Sequence, residues 1–281
     1  MSSGTSLAGE KGEAAVQTDP SQGVADGQGA AVSAGVAEGA GRAADAPVST
    51  EGRGAFVTLE GGEGAGKSTH ARLLAAALRH AGYDVVQVRE PGGTPIGEAL
   101  RAILLAPESA ALTSAAELFL YEAARAQIVA EVIAPALARG AAVVCDRFTD
   151  STLAYQGAGR GLDPAFIAQA NELACAGIAP DLTVVLRPAP SGAAAAEEGL
   201  KRACETGEAD RLEQAGLAFH ERVNHAFEEL VETQDGRHVA VASDGPIPDT
   251  AQAVAAAVQR LFPQLSAEDV DAAIAAEGHL R

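Results

Sequence analysis

Residues 61–68 read Gly-Gly-Glu-Gly-Ala-Gly-Lys-Ser, a complete G-x-x-x-x-G-K-[ST] string, and no other stretch of this chain limits its fold as strongly. The string follows a short apolar, β-branched run (Ala-Phe-Val-Thr-Leu-Glu, 55–60). It precedes apolar residues at helical spacing, Leu73, Leu74, Ala77 and Leu78, with Gly82 as the stop. A strand, a glycine turn and a helix N-terminus in that order build a phosphate cradle. Glycines let successive backbone N–H groups turn inward, and the helix end adds partial positive charge. Gly61, Gly62, Glu63, Gly64, Ala65, Gly66, Lys67, Ser68 and Thr69 are therefore the expected ATP-binding segment. Lys67 is placed to bridge the β- and γ-phosphates, and the Ser68 hydroxyl to reach Mg2+. A glycine turn that contains Lys-Ser by coincidence is the bland alternative, and the flanking strand and helix weigh against it.

The same alternation continues along the chain. Further strands are expected at 84–89, 141–145, 182–186 and 238–242. Helices are expected at 95–105, 114–139 with a kink near Pro135, 164–176, 209–232 and 249–261. Short apolar strands alternating with helices predict an α/β fold: a P-loop NTPase-type parallel sheet of about five strands, helices on both faces, and a small lid near 199–211. Trp is absent and aromatics are 4% of the chain, so the core must be Val, Ile and Leu, as buried parallel strands require. Residues 1–53 hold one Leu and no Ile, Phe, Tyr or Trp, too little apolar surface to offset chain entropy, and are expected to be a disordered tail. The folded domain is expected over 54–263, with 264–281 as a helical or flexible extension.

A net charge of −18 argues against a nucleic-acid grip, which needs a basic stripe, but leaves room for a phosphorylated small molecule held by a few local cations. Cys145, Cys175 and Cys204 form neither a metal-ligand spacing nor a disulfide framework. No leader-like segment and no membrane-spanning run is present, which predicts a cytoplasmic protein without membrane contact.

Ligands of open parallel sheets sit beyond the carboxyl ends of the strands. The third strand ends in Asp146-Arg147. The acid can join Ser68 in holding Mg2+, and the planar guanidinium can clamp two phosphate oxygens. Tyr121 and Arg125 are four apart and share a helix face, so a ring can stack on a base while the arginine reaches its edge. Taken singly, each has an ordinary reading as a surface ion pair or core side chain.

From about 56 to 261 the chain resembles bacterial thymidylate kinases. The resemblance rests on Glu60–Thr69 (EGGEGAGKST), Arg89-Glu-Pro91-Gly-Gly-Thr94, Asp146-Arg147 followed by Ser151-Thr152-x-Ala-Tyr155-Gln156-Gly157, and Gly159-Arg-Gly-Leu162. It implies ATP-dependent phosphorylation of dTMP to dTDP, with Mg2+, in a homodimer. By position, Glu63 would contact the deoxyribose 3′-hydroxyl, Tyr121 would stack on thymine, and Arg125 would bond its carbonyl edge. Thr152 and Gln156 would lie near base and sugar, with Pro91 and Ser151 in the same substrate-binding set. Tyr155 would crowd the 2′ carbon, and Arg147 would bridge the two substrates' phosphates. Catalysis would fall to Lys67, Arg147 and a lid cation.

Two departures stand out. Residues 188–198 look like a surface insertion, and Cys204 and Thr206 occupy lid places where bacterial relatives often carry arginine. That leaves Arg211 first and Arg202 second as the expected lid arginine. The competing readings are a kinase for another nucleoside monophosphate or a deoxynucleoside, and a P-loop regulatory ATPase.

Overall fold

The computed structural model describes residues 52–188, 193–204, 209–233 and 236–277. Residues 1–51 of the tail expected over 1–53, and Thr206, lie outside them. Five strands, β1 (Phe56–Glu60), β2 (Val85–Arg89), β3 (Ala142–Asp146), β4 (Leu182–Arg187) and β5 (His238–Ala242), form one parallel sheet in the order β2-β3-β1-β4-β5. Burial follows that order. All five residues of β1 are buried at the centre, whereas edge strands β2 and β5 keep exposed positions. The β1–β3 register sets Leu59 beside Asp146, which brings the phosphate loop and the Asp-Arg pair to one end of the sheet.

Helix α1 (Lys67–His80) packs one face of the sheet with α9 (Ile247–Val258) and α10 (Ala267–Ala276). The other face is filled by Phe56, Val143 and Cys145 against Ile128, Ile133 and Leu137. There Phe56 meets Phe148 edge to face at 5.0 Å, a contact worth about 0.5–1.5 kcal/mol beyond area burial. A third cluster, with Tyr155, Leu212, Phe219, Val223 and Phe227, supports the ligand end of the sheet.

Helices at 95–105 and 67–80 fall where their apolar periodicity predicts, as α2 (Pro95–Leu105) and α1. Four expectations change. The helix expected over 114–139 is three pieces, α3 (Ser114–Ile128), a π turn (Val129–Ile133) and α4 (Ala134–Ala138). Pro135 has no N–H to continue the ladder, and Ala134 reaches back five residues to Val129 O. The polar loop after β3 is helical: α5 (Thr149–Thr152) runs into wide turns over Leu153–Gly159. Its glycines serve packing, since a Cβ on Gly159 would sit 2.5 Å from the Phe219 ring. After α6 (Pro164–Cys175), helix α7 (Ala193–Cys204) begins inside the stretch expected as a surface insertion, 188–198, of which 189–192 lie outside the described residues. Helix α8 (Leu217–Glu232) starts later than 209, because Gly216 at φ 90° breaks it from the 3-10 turn Glu213–Ala215. The extension beyond 263 is helical: α10 is closed by a Ser266–Asp269 capping box and tied to α1 through His80–Asp269 and Arg72–Glu277. No helix among the described residues is long and apolar enough to cross a membrane.

Candidate active site

The loop from Gly61 to Gly66 wraps the N-terminus of α1, and Lys67 folds back over it, donating through Nζ to Gly62 O. Burial and the neighbouring Arg147 charge push the Lys67 ammonium down to about 8, against the pull of Glu63 and Asp146. The loop floors a cleft of about 490 Å3 that extends to Tyr121 on α3 and Arg101 on α2.

Arg147 stands at the middle of this cleft. Its backbone is left-handed at φ 72°, a strained conformation for a side-chain-bearing residue, and it directs the guanidinium back across the sheet end. The guanidinium donates to Gly61 O (3.1 Å), to Glu63 (3.0 Å) and to Ser151 Oγ (3.2 Å), and lies 4.9 Å over the Tyr155 ring. Tyr155 in turn donates its hydroxyl to Glu63 at 2.7 Å. Burial alone would raise the Glu63 carboxyl, but the Arg147 and Lys67 charges and the Tyr155 bond outweigh it and hold the pKa at about 2. Glu63 is therefore a fixed acceptor. Beneath this trio, Glu60 accepts from Phe148 N and from the Ser151 N–H and hydroxyl, and burial followed by the Asp150 charge raises it to about 7.

Ser68 donates its hydroxyl to Asp146 Oδ2, while Asp146 Oδ1 is buried with no hydrogen-bond partner. Two hard oxygen donors with an unfilled lone pair, next to a phosphate loop, fit Mg2+.

On the acceptor side, Tyr121, Pro91 and Ser151 line the cleft as the sequence predicts, with Glu63, Arg147 and Tyr155. Pro91 O collects Arg89 at 3.3 Å and Arg101 at 3.0 Å, bringing two cations to the cleft that the sequence reading did not select. Arg125, Thr152 and Gln156 are not on the cleft wall. Arg125 is 2% exposed, and its donors are taken by Glu90, Glu122, Thr152, Asn171 and Phe148 O. In this arrangement it braces the end of β2 from below and has no donor left for a base edge. The two expected lid arginines are placed differently. Arg211 is buried, bonded to Leu104 O and Glu117, whereas Arg202 on α7 lines the cleft, held loosely to Glu198 at 3.5 Å and 3.9 Å.

Helix α7 rests directly on the phosphate loop. A Cβ on Gly199 would lie 2.3 Å from Glu63 O, and one on Gly64 would lie 2.3 Å from Gly199 O. Gly199→Ala is therefore expected to lift the lid helix and lower kcat/KM about tenfold with little change in Tm, since the helix gains propensity as the contact is lost. Steady-state kinetics beside a melting curve check this.

A parallel sheet with a mononucleotide loop at the end of its central strand places the chain among the P-loop nucleotide-binding proteins. Comparison with known proteins narrows the class. The Thymidylate kinase family model matches residues 59–254. A thymidylate kinase from Geobacter sulfurreducens is 48% identical over 212 residues, covering 75% of this chain and 99% of the relative. One from Solidesulfovibrio magneticus is 50% identical over 209 residues, covering 74% and 100%. The crystal structure of thymidylate kinase from Ehrlichia chaffeensis matches with a TM-score of 0.59 at 29% identity, covering 74% of this chain and 99% of that one. The chain belongs to the thymidylate kinase family.

Proposed function

We propose that this chain transfers the γ-phosphoryl group of ATP to dTMP, yielding dTDP and ADP for dTTP synthesis. The observation that carries the reading is Arg147, which bonds the phosphate loop at Gly61 and the acceptor-side Glu63 at once, so one cation serves both halves of the cleft. The attacking oxygen belongs to the dTMP phosphate and is anionic near neutral pH, so no strong general base is needed. A phosphate oxygen forms its bond to the γ-phosphorus as the bond to the β–γ bridging oxygen breaks. The protein's task is alignment and charge neutralisation. Lys67 and the loop N–H groups hold the β- and γ-phosphates, Arg147 spans donor and acceptor, and Arg202 brings charge from the lid. Mg2+, held by Ser68 and Asp146, would neutralise phosphate charge when bound. Tyr121 offers a ring to the base, Glu63 accepts from the 3′-hydroxyl, and Tyr155 limits space beside the sugar.

With Lys67 at about 8 in the ligand-free cleft, its charge is lost as pH rises through that value. ATP binding should then draw in a proton, and affinity at pH 9 should be about tenfold weaker than at pH 7. Calorimetry in buffers of different ionisation enthalpy measures both.

An acceptor panel of dTMP, dUMP, dCMP, dGMP and thymidine tests the assignment. The highest kcat/KM should fall on dTMP. Equal turnover of thymidine would favour a deoxynucleoside kinase, and ATP hydrolysis unaffected by any acceptor would favour a regulatory ATPase. We further propose a homodimer formed through α2, α3 and α6, supported by Phe119 (56% exposed) edge to face with Phe166, and by Leu173 (85% exposed) and Ile103. Light scattering should give twice the chain mass, and Leu173→Glu with Phe119→Glu should give one.

A further inference from the structure

Glu60 is fully buried at the end of β1, yet the mechanism above makes no use of it. It is the residue before the phosphate loop, and its carboxylate reaches the chain that follows β3. Oε1 accepts from Phe148 N at 2.6 Å and from Ser151 N at 3.3 Å, and Oε2 accepts from the Ser151 hydroxyl at 2.6 Å. One residue earlier on β1, Leu59 O accepts from Arg147 N at 3.1 Å. The two N–H groups that bracket the Arg147 Cα are thus held by successive residues of one strand. That pins both backbone angles of Arg147 and keeps it in its left-handed conformation at φ 72°, which a free loop would leave.

The guanidinium is held through the same carboxylate. A serine hydroxyl has one hydrogen, and Ser151 gives it to Glu60, so its oxygen is left to accept from Arg147 Nη1 at 3.2 Å. Nη1 gives its other hydrogen to Gly61 O at 3.1 Å, and with both spent the plane of the guanidinium is fixed beside the phosphate loop. We propose that Glu60 is a positioning residue for phosphoryl transfer: through Phe148 N and the Ser151 hydroxyl it sets the backbone and the side chain of Arg147, the cation shared by donor and acceptor. This rests on the dTMP reading above. Because Glu60 directly precedes Gly61 in the chain, the root of the loop and the seat of Arg147 are one piece, and the donor phosphates and the bridging cation keep a constant spacing.

Glu60→Gln separates the parts of this arrangement. Its amide oxygen can still take the two N–H groups, but an NH2 replaces the oxygen that receives the Ser151 proton. At pH 8, above the Glu60 value of about 7, the variant should lose about thirtyfold in kcat/KM for dTMP, mostly in kcat. Placed in Arg147→Ala, the same change should cost less than about twofold, because the group it positions is gone. Ser151→Ala breaks the chain of bonds at its middle and should show the same pair of effects. A general loosening of the fold would cost as much with Arg147 absent as with it present. That equal loss, or a loss under about threefold with Arg147 in place, would overturn the role of Glu60. Should Glu60→Gln not fold, Ser151→Ala decides by the same comparison. A wild-type chain inactive on dTMP would instead refute the function beneath the inference.

Discussion

Lys67→Ala is expected to fold normally and to lose about 10²–10³-fold in transfer rate, as removal of one preorganised charge donor does in a closed site. The residue is buried, at the N-terminus of α1, and bonded to the loop carbonyl of Gly62. Its charge is already opposed by burial and by Arg147, so its loss removes an unfavourable term from the ligand-free fold. Tm should therefore hold or rise slightly while kcat collapses. Steady-state kinetics with a parallel melt separate the two quantities. Near-normal turnover in the variant would dismiss the phosphate-loop assignment.

Arg147→Ala is expected to cost about 10³-fold in kcat/KM, and Arg147→Lys nearly as much. The guanidinium spans Gly61 O, Glu63 and Ser151 Oγ at once, and a single ammonium cannot hold three acceptors in that fork. The variant also strips Glu63 of its largest opposing charge. Its carboxyl, now at about 2, should move up toward the value burial dictates. Because Arg147 faces both substrates, KM should rise for dTMP and ATP alike, whereas Gly199→Ala acts through the lid. Full kinetic constants for both variants distinguish these effects.

The parts of this site that sequence alone exposes are those held by local geometry. The loop 61–68 needs only a strand before it and a helix after it, and both are written in adjacent residues. Asp146 and Arg147 follow from the rule that ligands sit beyond parallel strand ends, and the β1–β3 register places them there. Arg125 and Arg211 were harder. Each sits in a nucleotide-like motif, yet its partners come from distant segments, Glu90 and Asn171 for the first, Leu104 and Glu117 for the second. No spacing in the chain announces those pairings. Glu117 itself reads as an ordinary exposed acid on the first turn of α3 until the fold buries it. The helical turns over 149–159 are hidden by two glycines, Gly157 and Gly159, which serve close packing against Ile167 and Phe219.

The central claim is γ-phosphoryl transfer between nucleotides, and the most direct test follows the phosphorus itself. ATP labelled at the γ-phosphate, incubated with the full chain, Mg2+ and dTMP, should place its label in dTDP, with little free phosphate formed. Replacing dTMP by dCMP should leave most of the label in ATP. Label appearing as inorganic phosphate at the same rate with and without dTMP would contradict the account.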